Sequence, residues 1–249
     1  MAAGKGSSEI HFVLNGAPHV ARGVDSNTTL LHYLRDRGFT GTKEGCAEGE
    51  CGACAVALKA TAPDGTARYE AVNSCLLLVP SVAGREVVTV EGVARGAELH
   101  PVQREMADGG GSQCGYCTPG FVVSLFAEYY RADSGPLDEE SIGGNLCRCT
   151  GYRPIRDATT RLCQIRTKEI AEHTPDAHRA RLVDATAALA PVDYRPTGSG
   201  PRFVRPTSLE AALAERAADP ALVVITGGTD LVVEVKGASR SAPAPRGTA

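Results

Sequence analysis

The first apolar residues alternate. Ile10, Phe12 and Leu14 fall on one side of an extended segment, the period-two pattern of a half-buried strand. Asn15-Gly16 follows as a hairpin turn and predicts a second strand around His19–Val24. Thr28 or Thr29 then precedes Leu30, Leu31 and Leu34, so a short capped helix is expected, ending at Gly38. A strand is predicted through Ala55-Val56-Ala57-Leu58, a turn at Pro63-Asp64-Gly65, an apolar stretch from Cys75 to Val79, and a last strand over Glu86–Val90. Beyond Val93 the apolar period lengthens to about 3.6. Helices are predicted over His100–Ala107, stopped by Gly109-Gly110-Gly111, and after Thr118-Pro119, with Thr118 as N-cap and Pro119 in first position. Phe121, Val122, Leu125, Phe126 and Tyr129 give this second helix an apolar stripe that reads as core. Glu139-Glu140-Ser141-Ile142 is expected to start another helix, and Asp157–Arg166 to form a final one carrying Cys163.

The periodicity then fades. Residues 167–200 are polar with Ala, Pro and Gly and read as a linker, with a helix possible over Ala180–Ala190. A helix over Leu209–Ala217, capped by Thr207 or Ser208, leads to an apolar strand, Leu222–Thr226. The strand runs into Gly227-Gly228-Thr229-Asp230-Leu231, a bare-backbone turn of the type that can receive a pyrophosphate, although an ordinary loop is the default for two glycines alone. Ala238–Ala249 contain no branched aliphatic or aromatic residue and are expected to build no core.

Cysteine spacing adds chemistry to this outline. Cys46, Cys51 and Cys54 stand in C-x4-C-x2-C spacing among glycines and alanines, with Cys75 following at a distance. That is the plant-type [2Fe–2S] pattern. Two irons bridged by sulfide need four thiolates, and one loop must wrap the cluster closely enough to turn its N–H groups toward the sulfurs. A zinc site prefers paired short arms and fits this spacing poorly. Cys114-x2-Cys117 and Cys147-x-Cys149 form a second four-thiol set, for which a four-cysteine zinc site is the alternative to an iron–sulfur cluster. Cys163 has no partner and reads as a packed apolar thiol. His11, His19 and His32 read as surface or packing residues rather than ligands.

Composition narrows the classes. The 249 residues suffice for two or more domains, and 43% hydrophobic with 22% charged residues describes an ordinary soluble protein. A net charge of −3 gives no sign of a nucleic-acid partner. No apolar run approaches the ~20 residues that span a bilayer, and the N-terminus lacks a signal-peptide core, so no membrane association and a cytoplasmic location are expected. Nine cysteines in such a compartment point to metal ligation rather than disulfides.

Taken together, these motifs resemble the small (iron–sulfur/FAD) subunit of bacterial xanthine dehydrogenase, in the molybdenum hydroxylase family. Gly45-Cys46-x4-Cys51-Gly52-x-Cys54 with Cys75 is similar to the family's ferredoxin-like domain. Gln113-Cys114-Gly115-x-Cys117-Thr118-Pro119-Gly120 and Asn145-Leu146-Cys147-Arg148-Cys149-Thr150-Gly151-Tyr152-Arg153-Pro154-Ile155 are similar to its helical cluster domain, and the Tyr-Arg-Pro-Ile run looks like the xanthine dehydrogenase branch. Pro206-x-Ser208-Leu209 and the turn after Leu222–Thr226 look like the start of its flavin domain. The resemblance implies an α+β chain: a β-grasp plant-type [2Fe–2S] ferredoxin domain at 8–92, a helical-bundle [2Fe–2S] domain at 93–172, a linker at 173–200, and an incomplete α/β FAD-binding (PCMH-type) domain at 201–249. It implies two [2Fe–2S] clusters, one on Cys46, Cys51, Cys54 and Cys75, the other on Cys114, Cys117, Cys147 and Cys149. FAD would meet Val224, Ile225, Thr226, Gly227, Gly228, Thr229, Asp230 and Leu231. Gln113 would contact the molybdopterin of a large partner subunit, and NAD would be the final acceptor.

The resemblance breaks off at Lys236-Gly237, so a truncated flavin domain and weak or absent FAD binding are expected. In this reading the chain supplies no catalytic acid, base or nucleophile, and substrate oxidation belongs to the partner. The alternative is a stand-alone two-cluster electron carrier of another molybdenum hydroxylase, of the aldehyde or carbon monoxide type, with an inert flavin remnant. A cysteine-rich zinc-binding interaction module is the third possibility.

Overall fold

The computed structural model describes residues 6–62, 64–131, 135–182, 189–198 and 200–241. Strands β1 (Glu9–Leu14) and β2 (Ala17–Arg22) pair antiparallel, Glu9 opposite Arg22 and Leu14 opposite Ala17. Asn15 and Gly16 between them sit at φ 52° and 81°, as a tight hairpin turn of this twist requires. Helix α1 (Leu30–Asp36) is capped by Thr29, whose hydroxyl accepts from the His32 N–H at 3.3 Å. Strands β3 (Ala55–Thr61) and β4 (Ala67–Asn73) form a second antiparallel pair, and β5 (Glu86–Val88) enters between the pairs, parallel to β1 and antiparallel to β3. The sheet order is β2-β1-β5-β3-β4, a β-grasp arrangement. The sequence did not announce β4: Arg68 and Glu70 break its apolar run, and Tyr69 is its one buried residue. β5 is shorter than expected because Val90–Gly92 winds into a 3-10 turn.

Strand β3, between β5 and β4, is buried on both faces along its first four residues, which joins the two cysteine-bearing units into one packed body. Val56 and Leu58 join Leu30, Tyr33 and Leu34 of α1 in one core. Ala55 and Ala57, alternating to the other face, join Tyr69, Val88 and the helices that follow in a second core. Those helices are α2 (Pro101–Asp108), α3 (Thr118–Tyr129) and α4 (Arg153–Ala171). α3 lies against β3 and β4 on one side and α2 and α4 on the others. Its expected stripe is therefore buried nearly all round: Val123, Ser124 and Ala127 are buried with Phe121, Leu125 and Phe126. Burying each of the two phenylalanines contributes about 1.5–3 kcal/mol. Cys117, not Thr118, takes the N-cap position, and the Thr118 hydroxyl bonds Ser112 Oγ at 2.8 Å. Glu139–Ile142 makes only a 3-10 turn, and α4 extends beyond Asp157–Arg166 at both ends.

The stretch expected as a linker is anchored to both units. Short helix α5 (Ala177–Arg181) is capped by Asp176, which also accepts from the Tyr130 hydroxyl and from Arg95, each at 2.5 Å. Strands β6 (Val192–Tyr194) and β7 (Phe203–Arg205) pair antiparallel. Tyr194 is fully buried in the α1-side core and its hydroxyl donates to the Val24 carbonyl at 2.5 Å. Arg205 donates to the Ser81 and Ala83 carbonyls at 2.9 and 2.8 Å. Such single-residue anchors carry no periodicity, so the pattern of the chain could not reveal them.

Helix α6 (Leu209–Ala218) is capped by Ser208, which accepts from the Ala211 N–H at 3.1 Å. Leu222–Thr226 forms no strand: no neighbouring strand pairs with it among the described residues, and Val223, Val224 and Ile225 are exposed. After the glycine turn, α7 (Leu231–Ser241) extends into the segment expected to build no core. Of the other expectations, Pro63, 183–188 within Ala180–Ala190, and 242–249 lie outside the described residues. No described helix is long and apolar enough to cross a membrane.

His100 caps α2 where the three packed segments meet. Its Nδ1 accepts from the Val102 N–H at 3.2 Å, which leaves Nε2 protonated and donating to the Tyr130 hydroxyl at 2.8 Å; that hydroxyl in turn donates to Asp176. Burial, with help from nearby His178, Arg95 and Arg179 and against the pull of Asp176, holds the imidazole down to about 3. The unfolded chain protonates it near 6.5. Its stabilising contribution is thus fully present above that pH and is lost as pH falls toward about 3. Thermal midpoints measured from pH 7.5 down to 5 should fall more steeply for the wild type than for His100→Asn, which keeps a capping side chain; equal slopes would contradict this assignment.

Candidate metal centres

The loop between α1 and β3 gathers the first four thiols. Cys46 and Cys51 lie in mutual hydrogen-bond contact, as do Cys54 and Cys75, the latter brought in by the 3-10 turn Ser74–Leu76. The loop turns its backbone donors inward: Cys46 N–H points to Cys51 Sγ, and Glu48 and Glu50 N–H point to Cys46 Sγ, all at 3.3 Å. A Cβ on Gly45 would stand 2.7 Å from Cys51 Sγ, so the wrap tolerates no side chain there. Asn73 holds the rim, donating to the Gly49 carbonyl at 2.6 Å and accepting from Cys54 Sγ at 3.8 Å.

The second set forms where α3 begins and the loop before α4 passes. Cys114 meets Cys149, and Cys117 meets Cys147. Cys147 Sγ contacts the Thr150 hydroxyl at 3.1 Å and accepts from the Thr150 N–H at 3.4 Å. Tyr152 is left-handed at φ 66°, uncommon for a bulky residue, and is held there by its hydroxyl, which accepts from the Cys147 N–H at 2.9 Å. Cys114, Cys149 and Gln113 are exposed, whereas the first set is buried or half-buried. Cys163 lies outside both sets, half-buried against the second core.

Each pair shares charge unequally. The hydrogen bond from Cys75, against burial, lowers Cys54 to about 7, and the same contact drives Cys75 upward. Burial is the largest influence on Cys46 and opposes its thiolate, but the donors of Glu48, Cys51 and Glu50 outweigh it; burial raises Cys51. Burial pushes Cys117 up to about 12, while at Cys147 burial is outweighed by the Thr150 hydroxyl and N–H. The Tyr116 N–H lowers Cys114, and the Cys114 contact raises Cys149. Among the described residues, no three or more His, Cys, Asp or Glu side chains converge as a single ion needs. The hydrogen-bond contacts group the thiols in twos, an arrangement that two irons with two thiolates each can use. The donor set and its inward N–H groups thus fit a [2Fe–2S] cluster at each site.

The nucleotide-turn candidates lie between α6 and the first residue of α7. Val224, Ile225, Thr226, Thr229 and Asp230 are exposed, Leu231 is half-buried, and Gly227 and Gly228 adopt φ 68° and 71°. Gly228 is buried; a Cβ on it would lie 3.3 Å from the Leu76 carbonyl, next to Cys75. The roles of Asn73, Asn145 and Tyr152 were not foreseen. Asn145 and Tyr152 stood inside the quoted second motif, and Asn73 two residues before Cys75.

Two family descriptions match the chain: a 2Fe-2S iron-sulfur cluster binding domain over residues 12–79 and a [2Fe-2S] binding domain over 89–160. Xanthine dehydrogenase of Emericella nidulans is 50% identical over 153 residues, covering 60% of this chain and 11% of that protein. Human aldehyde oxidase is 43% identical over 163 residues, covering 64% of this chain and 12% of that protein. Quinoline 2-oxidoreductase from Pseudomonas putida 86 is similar in structure, with TM-score 0.54 and 32% identity, over 64% of this chain and 96% of the solved one. The chain thus carries two matching [2Fe–2S] binding domains and, over them, is similar to xanthine dehydrogenases and aldehyde oxidases. Aldehyde oxidoreductase from Desulfovibrio gigas is similar in structure, with TM-score 0.55 and 34% identity, over 67% of this chain and 18% of the solved one. The chain spans about an eighth of the curated relatives it matches. Neither family description extends past residue 160.

Cys54→Ser is expected to lower bound iron by about half, since each site would hold two irons, whereas Cys163→Ser should leave it unchanged. Iron measured by plasma mass spectrometry decides this, and an equal loss in both variants would contradict the grouping.

Proposed function

We propose that this chain is the electron-transfer part of a xanthine dehydrogenase-like molybdenum hydroxylase. Cys46, Cys51, Cys54 and Cys75 hold one [2Fe–2S] cluster, and Cys114, Cys117, Cys147 and Cys149 hold the other. The observation that carries this reading is the meeting of eight thiols as four pairs, with backbone donors aimed at their sulfurs. When bound, such a cluster takes up and releases single electrons. The chain's own residues do the rest: the thiolates ligate, the loop N–H groups stabilise negative charge on sulfur, and the packed helices keep water from the inner pairs.

Exposure sets the direction. Cys114, Cys149 and Gln113 face outward, so electrons enter there from the molybdopterin of a large partner subunit that oxidises the purine substrate. They leave from the first site past Leu76, against which the Gly227-Gly228 turn rests, toward FAD and then NAD. The chain therefore carries no substrate-oxidising residues, and it works in the cytoplasm. Because Val223, Val224 and Ile225 are exposed beside that turn, the chain alone encloses no flavin and should bind FAD weakly.

One observation favours a second reading, a two-cluster subunit of another molybdenum hydroxylase with an inert flavin remnant. In the solved quinoline 2-oxidoreductase chain, 96% of the length is covered by 64% of this one, so a separate chain about two thirds as long exists in a similar enzyme.

Anaerobically purified chain should contain iron and acid-labile sulfide in equal amounts and, after dithionite reduction, two paramagnetic signals that differ in relaxation. A colourless zinc protein without sulfide would sink both readings. Co-purification with a molybdenum-binding subunit and NAD reduction driven by a purine would favour the first, and a separate flavoprotein in the complex the second.

A further inference from the structure

The two thiol sites meet along one short piece of backbone. The Cys51 carbonyl accepts from the Leu146 N–H at 3.0 Å, so one hydrogen bond links Cys51 to the residue preceding Cys147. Beside it, Asn145 Nδ2 donates to the Gly52 carbonyl at 3.2 Å. Asn145 is 3% exposed, and its Oδ1 has no partner among the described residues. An unmet buried acceptor is costly, so the side chain does not serve stability through that half. A Cβ on Gly52 would lie 2.3 Å from Asn145 Nδ2, and one on Gly120 would lie 2.2 Å from the Gly52 carbonyl oxygen. The backbones therefore touch directly, with no room for any other side chain.

We propose that Asn145 is a positioning residue for electron transfer between the two sites: by holding the Gly52 carbonyl it keeps the Leu146-to-Cys51 hydrogen bond closed, and with it the coupling between the clusters. One electron leaves the second site and one enters the first; no bond forms or breaks and no proton moves. The protein's contribution is connectivity. A second link between the loops, Tyr116 hydroxyl to the Glu44 carbonyl at 2.5 Å, runs through a whole tyrosine side chain and ends two residues short of Cys46, a much longer route.

This inference rests on the presence of both clusters, so iron and acid-labile sulfide are measured first on the full chain. A wild type without sulfide, or with a single paramagnetic signal, overturns the proposed function and this inference with it. With two clusters present, low-temperature electron paramagnetic resonance of the dithionite-reduced wild type should show spin–spin splitting. Asn145→Ala should keep its iron and show that splitting reduced severalfold or lost, while Tyr116→Phe keeps it in full. Gly120→Ala, which presses on the same carbonyl with Asn145 intact, gives the same readout should Asn145→Ala fail to load iron. Wild-type splitting in both variants, an equal loss in Tyr116→Phe, absence of splitting in the wild type, or loss of iron from both variants would each overturn the inference for Asn145.

Discussion

The close approach of the Cys51-Gly52 backbone to Gly120 and to Asn145-Leu146 is the constraint on which the structure depends. Gly52 belongs to the loop that wraps the first thiol set, Gly120 to the first turn of α3, and Asn145-Leu146 to the loop that carries Cys147. If these backbones are to touch, α3 must lie flat on the sheet. It can do so because β3 offers Ala55 and Ala57 on that face, where larger residues would hold the helix away. The same strand turns Val56 and Leu58 to the other core. One strand thus anchors both cores, and the distance between the thiol sites follows from packing rather than from a flexible hinge.

The segment after α4 reinforces this arrangement. Asp176 and His178 close over the seam between the sheet unit and the helical unit, with Tyr130 and Arg95 bonded to the first and the Val93 carbonyl 3.1 Å from the second. Tyr194 then plugs the α1-side core from outside. Two units that carry separate thiol sets are thus also held in register by residues outside both cysteine motifs.

Much of this was legible in the sequence, and the reasons are physical. Local rules suffice for the hairpin at Asn15-Gly16, the caps at Thr29 and Ser208, and the apolar face of α3, because each depends on residues near one another in the chain. Thiol spacing carried the metal chemistry for a similar reason, since a cluster dictates how its loop must close. Contacts between distant residues were hidden. β4 depends on pairing with β3 despite its charged residues, and Asp176, Tyr194 and Asn145 act through single contacts across large separations. The apolar run Leu222–Thr226 shows the opposite failure, since composition announced a strand and the described residues provide no strand beside it.

The central claim is that the eight motif cysteines form two dinuclear sites, each iron held by one thiol pair. Anomalous diffraction at the iron edge, from crystals of the iron-loaded chain grown without oxygen, tests it most directly. The account predicts two close pairs of iron peaks, with the four irons bonded by Cys46 and Cys51, by Cys54 and Cys75, by Cys114 and Cys149, and by Cys117 and Cys147. A single metal peak among four thiols at either site, or an iron bonded across the pairs, would contradict it.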